Sequence, residues 1–534
     1  MYRSYIGLEI HIQLLTETKV FCSCRSNFGD EPNTNICPVC MGYPGALPAL
    51  NERAMKLSYI VARALGCTLA AESFFERKNY FYPDLPKNYQ ISQFAAPLGA
   101  DGHLDLEFRK HKRRVRIREC HLEEDAGKMI HAGDQSLLDF NRTGTPLLEI
   151  VTEPDLEFGE EAEHLMQEFR RIVRYLGVCD GNMEEGSLRC DANISLNTEG
   201  AGLGTKVEIK NMNSFRFVRK ALNYEIARQE EILERGGTII QETRLWNENR
   251  DVSESMRVKE SSNDYRYFPE PDLPPFRPTP EFLQDVEAAQ VELPRDRIAR
   301  LREEHGLSEA QAAFICDERE TADFFEAVVG TDGGPLSGTG ALVVASWLMG
   351  DVQKLLNRLG VRLAESPLTP TRLAELLTML ETGRIHGKIA KQVLSAVFED
   401  DAAPAEIISE RGWEQLTDRA AIGGIVDEVL TESQQAVDQI RAGDARPRGF
   451  LVGQVMRKSS GRADPKLVQE ILNEKLAFQF VQVIAFGGAI SGSRRADGVI
   501  VGGDLSDVIE AARQDPSLPG DIRYQELALG EFLS

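Results

Sequence analysis

The chain has 534 residues, 42% hydrophobic and 27% charged, with 61 Lys and Arg against 84 Asp and Glu for a formal charge of −23. At about 150 residues per domain this length suggests about three or four domains, and the composition excludes collagen-like, low-complexity and wholly disordered classes. A uniformly basic nucleic-acid coat is excluded too, though local basic patches are not.

Tyr5 to Leu14 reads as a strand, with Ile6, Leu8, Ile10 and Ile12 on one side and Glu9, His11 and Gln13 on the other. The opening MYRSYIGLEIHIQLL has no basic leader and is interrupted by Glu9 and His11, so no signal peptide is expected. The longest apolar run, Ala341 to Met349, is too short for a bilayer. A soluble, cytoplasmic protein is the expectation. Asn51 can cap a helix running to Leu65, with Gly66 past its end. Arg114, Arg116 and Arg118 alternate with Val115 and Ile117 on a strand, and Leu147 to Thr152 and Arg189 to Leu196 form others. Lys206, Glu208 and Lys210 share one face of a further strand. Glu161 to Leu176 is an amphipathic helix capped by Gly177, and Arg216 to Glu234 is a second, stopping at Gly236-Gly237.

The Pro-rich stretch Phe268 to Pro280 cannot continue a helix or a central strand and reads as the approach to a boundary. The expected organisation is an α+β domain over 1–290, a helical domain over 294–404, a small helical module over 405–476 and an extension over 477–534, β-branched and Gly-rich at its start.

Four of the nine cysteines, Cys22, Cys24, Cys37 and Cys40, fall close together. In a large intracellular chain such clustering favours metal over disulfides. Four thiolates can close a tetrahedral zinc site with no open position, hence no catalysis; the plain alternative is four unliganded thiols on a loop. Cys67, Cys120, Cys179, Cys190 and Cys316 are expected to be buried or incidental.

Carboxylates on several strands form a second signal. Glu9 and His11 share a face, His121 to Lys128 holds Glu123, Glu124 and Asp125, and Glu149 and Asp191 lie on other strands. If they converge they can hold Mg2+ against nucleotide phosphates; otherwise they are solvated faces or ion pairs. No P-loop sequence and no protein-kinase motif set is present, so ATP chemistry needs a sheet-based site. Two basic clusters, Arg109 to Arg118 and Arg441 to Lys466, suit phosphate contacts or a solvated face equally.

Several long strings together resemble one family, the B subunits of the bacterial-type aspartyl/glutamyl-tRNA amidotransferases. They are IGLEIHIQL (6–14), EPNTNICPVCMGYPGALPALN (31–51), ERKNYFYPDLPKNYQIS (76–92), HLEEDAGK (121–128), NRTGTPLLEIVTEPD (141–155), NMEEGSLRCDANISL (182–196), EIKNMNSF (208–215) and DYRYFPEPDLPP (264–275). Residues from about 330 to 476, with GFLVGQVMRKSSGRADP (449–465), resemble the family's helical and tail region.

The resemblance implies an antiparallel-sheet catalytic domain similar to the glutamine synthetase fold, followed by helical and tail domains. It implies a ligase that phosphorylates the side-chain carboxylate of Glu-tRNA(Gln) or Asp-tRNA(Asn) with ATP and then amidates it. The ammonia would come from a glutaminase-type A subunit in a heterotrimer with a small C subunit; neither membrane nor DNA is implied. Carried over position by position, Glu9, His11 and Glu124 form the expected Mg2+ and ATP core, with Glu123, Glu149 and Asp191 beside it. Lys78, Lys128 and Arg189 would contact phosphate or acyl phosphate, and Arg457, Lys458, Arg462 and Lys466 would grip tRNA. Some family members lack the four cysteines, so zinc there would brace the loop. A non-catalytic, zinc-containing tRNA-binding protein is the alternative. Residues 487–492 faintly resemble the Gly-Gly-Thr-Ile-Ala-Gly of asparaginase-type amidohydrolases, but Ala489 replaces the Thr and has no hydroxyl to attack with.

Overall fold

The computed structural model describes residues 2–487 except 109–110, 259–264, 331–338, 415, 417, 442–445 and 460. Ala489 and most of the C-terminal extension therefore lie outside the described residues. Compact packing divides the chain into a first unit ending at Gly412 and a second starting at Trp413.

The strands of the first unit are β1 (Tyr2–Gln13), β2 (Thr68–Leu69), β3 (Glu76–Asn79), β4 (Tyr89–Ser92), β5 (Gly99–Phe108), β6 (His111–Glu124) and β7 (Lys128–Ala132). They continue with β8 (Gln135–Asp139), β9 (Pro146–Thr152), β10 (Leu188–Thr198), β11 (Val207–Lys210), β12 (Glu242–Asn247), β13 (Val252–Val258) and β14 (Phe268–Pro269). Nine of them form one sheet in the order β13-β12-β11-β10-β1-β9-β6-β5-β2. Its pairings are antiparallel except β11 with β12. The fold is thus α+β, with a sheet dominated by antiparallel pairs.

β1 lies near the middle because it is apolar on every second residue. Ile10 pairs with Ile150 and Cys190, and Ile12 with Leu148 and Leu188. Ile6, Leu8, Ile10 and Ile12 are fully buried. Each contributes about 2 kcal/mol by leaving water. A one-residue slip would turn all four outward, so the register is specified by this alternation. The same core takes the apolar stripes of helices α1 (Glu52–Ala64), α2 (Gly159–Tyr175) and α3 (Phe215–Glu234). Asn51 caps α1 by accepting from the Ala54 N–H at 3.1 Å. α2 is capped at Leu176, and Gly177 just beyond takes the left-handed φ of 65°.

The Pro-rich stretch is held against the first unit. β14 pairs with β3, and Ser73 and Phe276 exchange backbone hydrogen bonds of 3.0 and 2.7 Å. Arg77 forks onto the buried Glu270 at 2.6 and 2.8 Å. Prolines are tolerated because an edge pairing needs few N–H donors. The helices after it stay in the first unit: the Tyr175 hydroxyl donates to the Cys316 carbonyl at 3.0 Å, and Arg171 pairs with Asp317 at 2.9 Å.

The second unit packs the helices Arg419–Glu432, Gln434–Arg441, Pro447–Lys458 and Pro465–Gly487 around Ile422, Val426, Leu451, Val455 and Val468. The last helix runs past Ala477, where the composition suggested a change of character. β-branched content is a weak guide there because β-propensity depends on context. Among the described residues no helix is long and apolar enough to cross a membrane.

Candidate active site

Strand register assembles the site. Arg189, His11, Glu149 and His121 stand opposite one another across β10, β1, β9 and β6. One step along, Asp191 faces Glu9, and Asn193 faces Glu208 of β11. Alternation puts all of them on the face opposite the Ile6–Ile12 core. Glu123 shares that face, two residues from His121.

Two ligand groups result. In the first, atoms of His11, Glu123 and Glu149 lie within 4.8 Å of one another. The His11 Nε2 is 3.6 Å from Glu149 and 3.9 Å from Glu123. His121 Nε2 is 2.8 Å from the Glu149 carboxylate. Burial alone would raise Glu149, but His121 and His11 outweigh it and hold the carboxyl well below its usual range. Burial would likewise lower His121, yet Glu149 lifts it to about 9, and His11 is raised for the same reason. Glu123 is pushed up by burial and by the charge of Glu149. Two buried carboxylates repelling each other beside an imidazole form a set that a divalent cation would relieve. The buried His121 Nδ1 has no hydrogen-bond partner.

In the second group Glu9, Asp191 and Glu208 also lie within 4.8 Å of one another. Asn193 donates to Glu9 at 2.7 Å and Thr243 to Glu208 at 2.9 Å. Lys210 pairs with Asp191 and, at 3.1 Å, with Glu208. Burial would lower the Lys210 ammonium, but these two carboxylates raise it instead. The buried Asn193 Oδ1 is left without a donor. These oxygen donors also fit a hard divalent cation.

Cations flank both groups. Arg189 donates to Asp125 at 2.6 Å while its buried Nε stays unpaired. Burial would raise Asp125, but Arg189 and Arg142 hold it low. Lys78 lies over the Tyr265 ring at 5.0 Å. Burial would lower its ammonium, and Glu123 raises it.

Two expectations change here. Glu124 does not join the first group: consecutive strand residues point to opposite faces, and Glu124 is buried against Lys87 while accepting from the Ile91 N–H at 2.8 Å. Glu123 takes the expected place. Lys128 stands exposed at the start of the β7–β8 hairpin, a sheet separate from the one that carries both groups. His121, Glu208 and Lys210 were not singled out as site residues from the sequence, and Asp125 was named only among the carboxylates of the 121–128 run. The alternation that marked Glu9 and His11 marks the first three equally; which strands meet is the missing information.

The four cysteines of the 22–40 loop come together, with sulfurs within 4.8 Å of one another. The Cys37 and Cys40 sulfurs are 3.9 Å apart, close to the spacing of about 3.8 Å that four Zn–S bonds of ~2.3 Å at tetrahedral angles require. The Cys37 N–H donates to Cys40 Sγ at 3.2 Å. The Cys22 hydrogen bond and nearby Lys19 bring Cys40 down to about 5. Lys19 itself is fully buried, donating to the carbonyls of Asn35 at 2.7 Å and Phe140 at 3.3 Å. The other five cysteines are all buried.

Both basic runs find partners within the protein. Arg113, Arg114, Arg116 and Arg118 are engaged by Glu157, Asp105, Asp155 and Glu153. In the second unit Arg457, Lys458, Arg462 and Lys466 are exposed. Lys458 there reaches Glu428 at 3.0 Å and Glu432 at 2.6 Å, and Arg457 reaches the Gln454 side chain at 2.7 Å.

Comparison with known proteins agrees with this layout. A family model described as the GatB/GatE catalytic domain matches residues 4–284, and one described as the GatB domain matches residues 323–476. The chain is similar to proteins named as the B subunit of an aspartyl/glutamyl-tRNA(Asn/Gln) amidotransferase. One from a Picosynechococcus species is 48% identical over 490 residues, covering 89% of this chain and 98% of the relative. Those from Carboxydothermus hydrogenoformans and Geobacter sulfurreducens are 46% and 47% identical over 482 and 481 residues, each covering 89% of this chain and 99% of the relative.

Proposed function

The chain belongs to the GatB/GatE family, and on that premise we propose that it is the B subunit of a glutamine-dependent tRNA amidotransferase, a ligase. It phosphorylates the side-chain carboxylate of Glu-tRNA(Gln), Asp-tRNA(Asn) or both, and converts the acyl phosphate to the amide. The observation that carries this reading is the pair of ligand groups, His11–Glu123–Glu149 and Glu9–Asp191–Glu208, side by side on one sheet face. The glutamine synthetase likeness belongs to the same proposal, since both would offer acidic strand residues to ATP.

The chemistry follows from what a carboxylate lacks. Its oxygen is too basic to leave, so it first attacks the γ-phosphorus of ATP. The bond to the β,γ-bridging oxygen breaks and ADP departs. Ammonia then attacks the acyl carbon, the bond to the phosphate oxygen breaks, and the one proton that the nitrogen loses goes to the departing phosphate. The two ligand groups would hold Mg2+, which when bound neutralises phosphate charge. Lys78, held charged by Glu123, supplies a further cation for the transferring phosphoryl group. Arg189, fixed by Asp125, offers its unpaired Nε to an anionic oxygen. Cys22, Cys24, Cys37 and Cys40 would hold zinc as a brace.

A glutaminase-type A subunit and a small C subunit are the partners in this reading, and the exposed Arg457, Lys458, Arg462 and Lys466 contact tRNA. ATP hydrolysis by the assembled complex with ammonium tests it. ADP and amide should form with mischarged Glu-tRNA(Gln) or Asp-tRNA(Asn) and not with correctly charged tRNA. Tight tRNA binding with no ADP would instead support a non-catalytic binder.

A further inference from the structure

An exposed aromatic platform adjoins the carboxylate face. Phe94 stacks on Tyr267 with ring centroids 4.3 Å apart and planes 9° from parallel. Tyr265 meets Tyr267 edge-on at 6.0 Å, and Lys78 lies over Tyr265. Burial pushes the Tyr267 hydroxyl up to about 12; Lys78 opposes that shift and Glu123 adds to it. Ser92, two residues before Phe94, donates to Glu123 at 3.4 Å, so the platform borders the first ligand group.

Phe94 is not a side chain on a loose loop. Buried Glu76 accepts from the N–H groups of Phe94 and Ala95 at 3.0 and 2.6 Å. The backbone is held while the residue is 61% exposed. With one ring face on Tyr267, the open face is ready for another flat group.

We propose that Phe94 stacks the terminal adenine of the aminoacyl-tRNA, a base-binding subsite of the reaction proposed above, on which it rests. The reacting carboxylate is tied by an ester to the ribose of that adenosine. Five single bonds separate the side-chain carboxyl carbon of a glutamyl group from the ribose oxygen, a reach of roughly 6 Å. A carboxylate delivered to the ligand groups therefore brings its own adenine to their rim. The adenine of ATP is joined to the transferred phosphorus through a similar number of bonds, so the separate KM values for aminoacyl-tRNA and ATP tell the two adenines apart. Base-on-aromatic stacking tolerates sequence, as a subsite for an unpaired 3′ end should.

The test places 2-aminopurine at the 3′ terminus of the tRNA and uses the assembled complex. Binding to the unaltered complex quenches the fluorescence by stacking. In Phe94→Ala and Phe94→Leu the quenching is lost, and Phe94→Tyr restores it. KM for aminoacyl-tRNA rises about 10-fold in the first two variants, while KM for ATP stays unchanged. Equal quenching in Phe94→Ala, or a rise in the KM for ATP alone, overturns the assignment while leaving the amidotransferase reading intact. Absence of ADP formation by the unaltered complex overturns that reading instead.

Discussion

On the sheet face His11, Glu123 and Glu149 come from three strands, and His11 and Glu149 keep 17% and 13% of their side chains exposed. The four cysteines come from one loop, close on one another, and have a buried lysine behind them. Each gathers ligands at metal-binding distance, but three ligands on the sheet leave coordination positions open, whereas four thiolates fill a tetrahedral site. An open set serves chemistry and a closed one serves shape. Substitutions in the two places should therefore separate activity from stability.

The largest effect is expected on activity. Glu123→Gln keeps the shape and removes the charge, and ADP formation should fall by about a thousandfold, the scale of losing a main electrostatic contributor. Its melting temperature should change little, because the relieved repulsion with Glu149 offsets the lost attraction to Lys78 and His11. Glu124→Gln should do the reverse. Lys87 would be left buried without its counter-ion, a loss of about 3–5 kcal/mol, while the activity per folded molecule survives. Thermal unfolding alongside ADP assays distinguishes the two.

The cysteine loop should respond in stability alone. Cys40→Ala should lower bound zinc and the melting temperature while changing kcat of the folded fraction only a few-fold. Lys19→Met should act in the same direction by about 1–3 kcal/mol, since the Asn35 and Phe140 carbonyls lose their buried donor. Metal content by elemental analysis and calorimetry check both.

The smallest effect is at the arginine-rich strand. Arg118 hydrogen-bonds to Glu153 and holds it low; burial would raise Asp155, but Arg116 holds it low as well. A depressed folded pKa means the stabilisation is complete above the unfolded carboxylate value near ~4 and is lost as pH falls through the folded values. Asp155→Asn should flatten that part of the acid-unfolding curve by less than about 1 kcal/mol, because Arg116 is exposed.

Much of this contrast is legible in the residues. Strict alternation in β1 announces both a buried face and the Glu9–His11 face, and the cysteine spacing announces the loop. What alternation cannot say is which strands become neighbours. Glu208 reaches Glu9 only because β11 follows β10, and Glu123 is chosen over Glu124 by its parity with His121. Phe94 and Tyr267 meet because the Pro-rich strap folds back along β3, which local rules for proline read as a boundary. The arginines of β6 suited a phosphate grip and a solvated face equally because their acidic partners stand on another strand and in the loop after β9.

The most direct test is single-turnover ADP formation by the assembled complex on mischarged tRNA, with Glu123→Gln and Glu124→Gln run side by side. Near-complete loss in the first and retained activity per folded molecule in the second is the predicted result. Full activity in Glu123→Gln, or loss confined to Glu124→Gln in a folded protein, would contradict the assignment of the His11–Glu123–Glu149 face as the site of phosphoryl transfer.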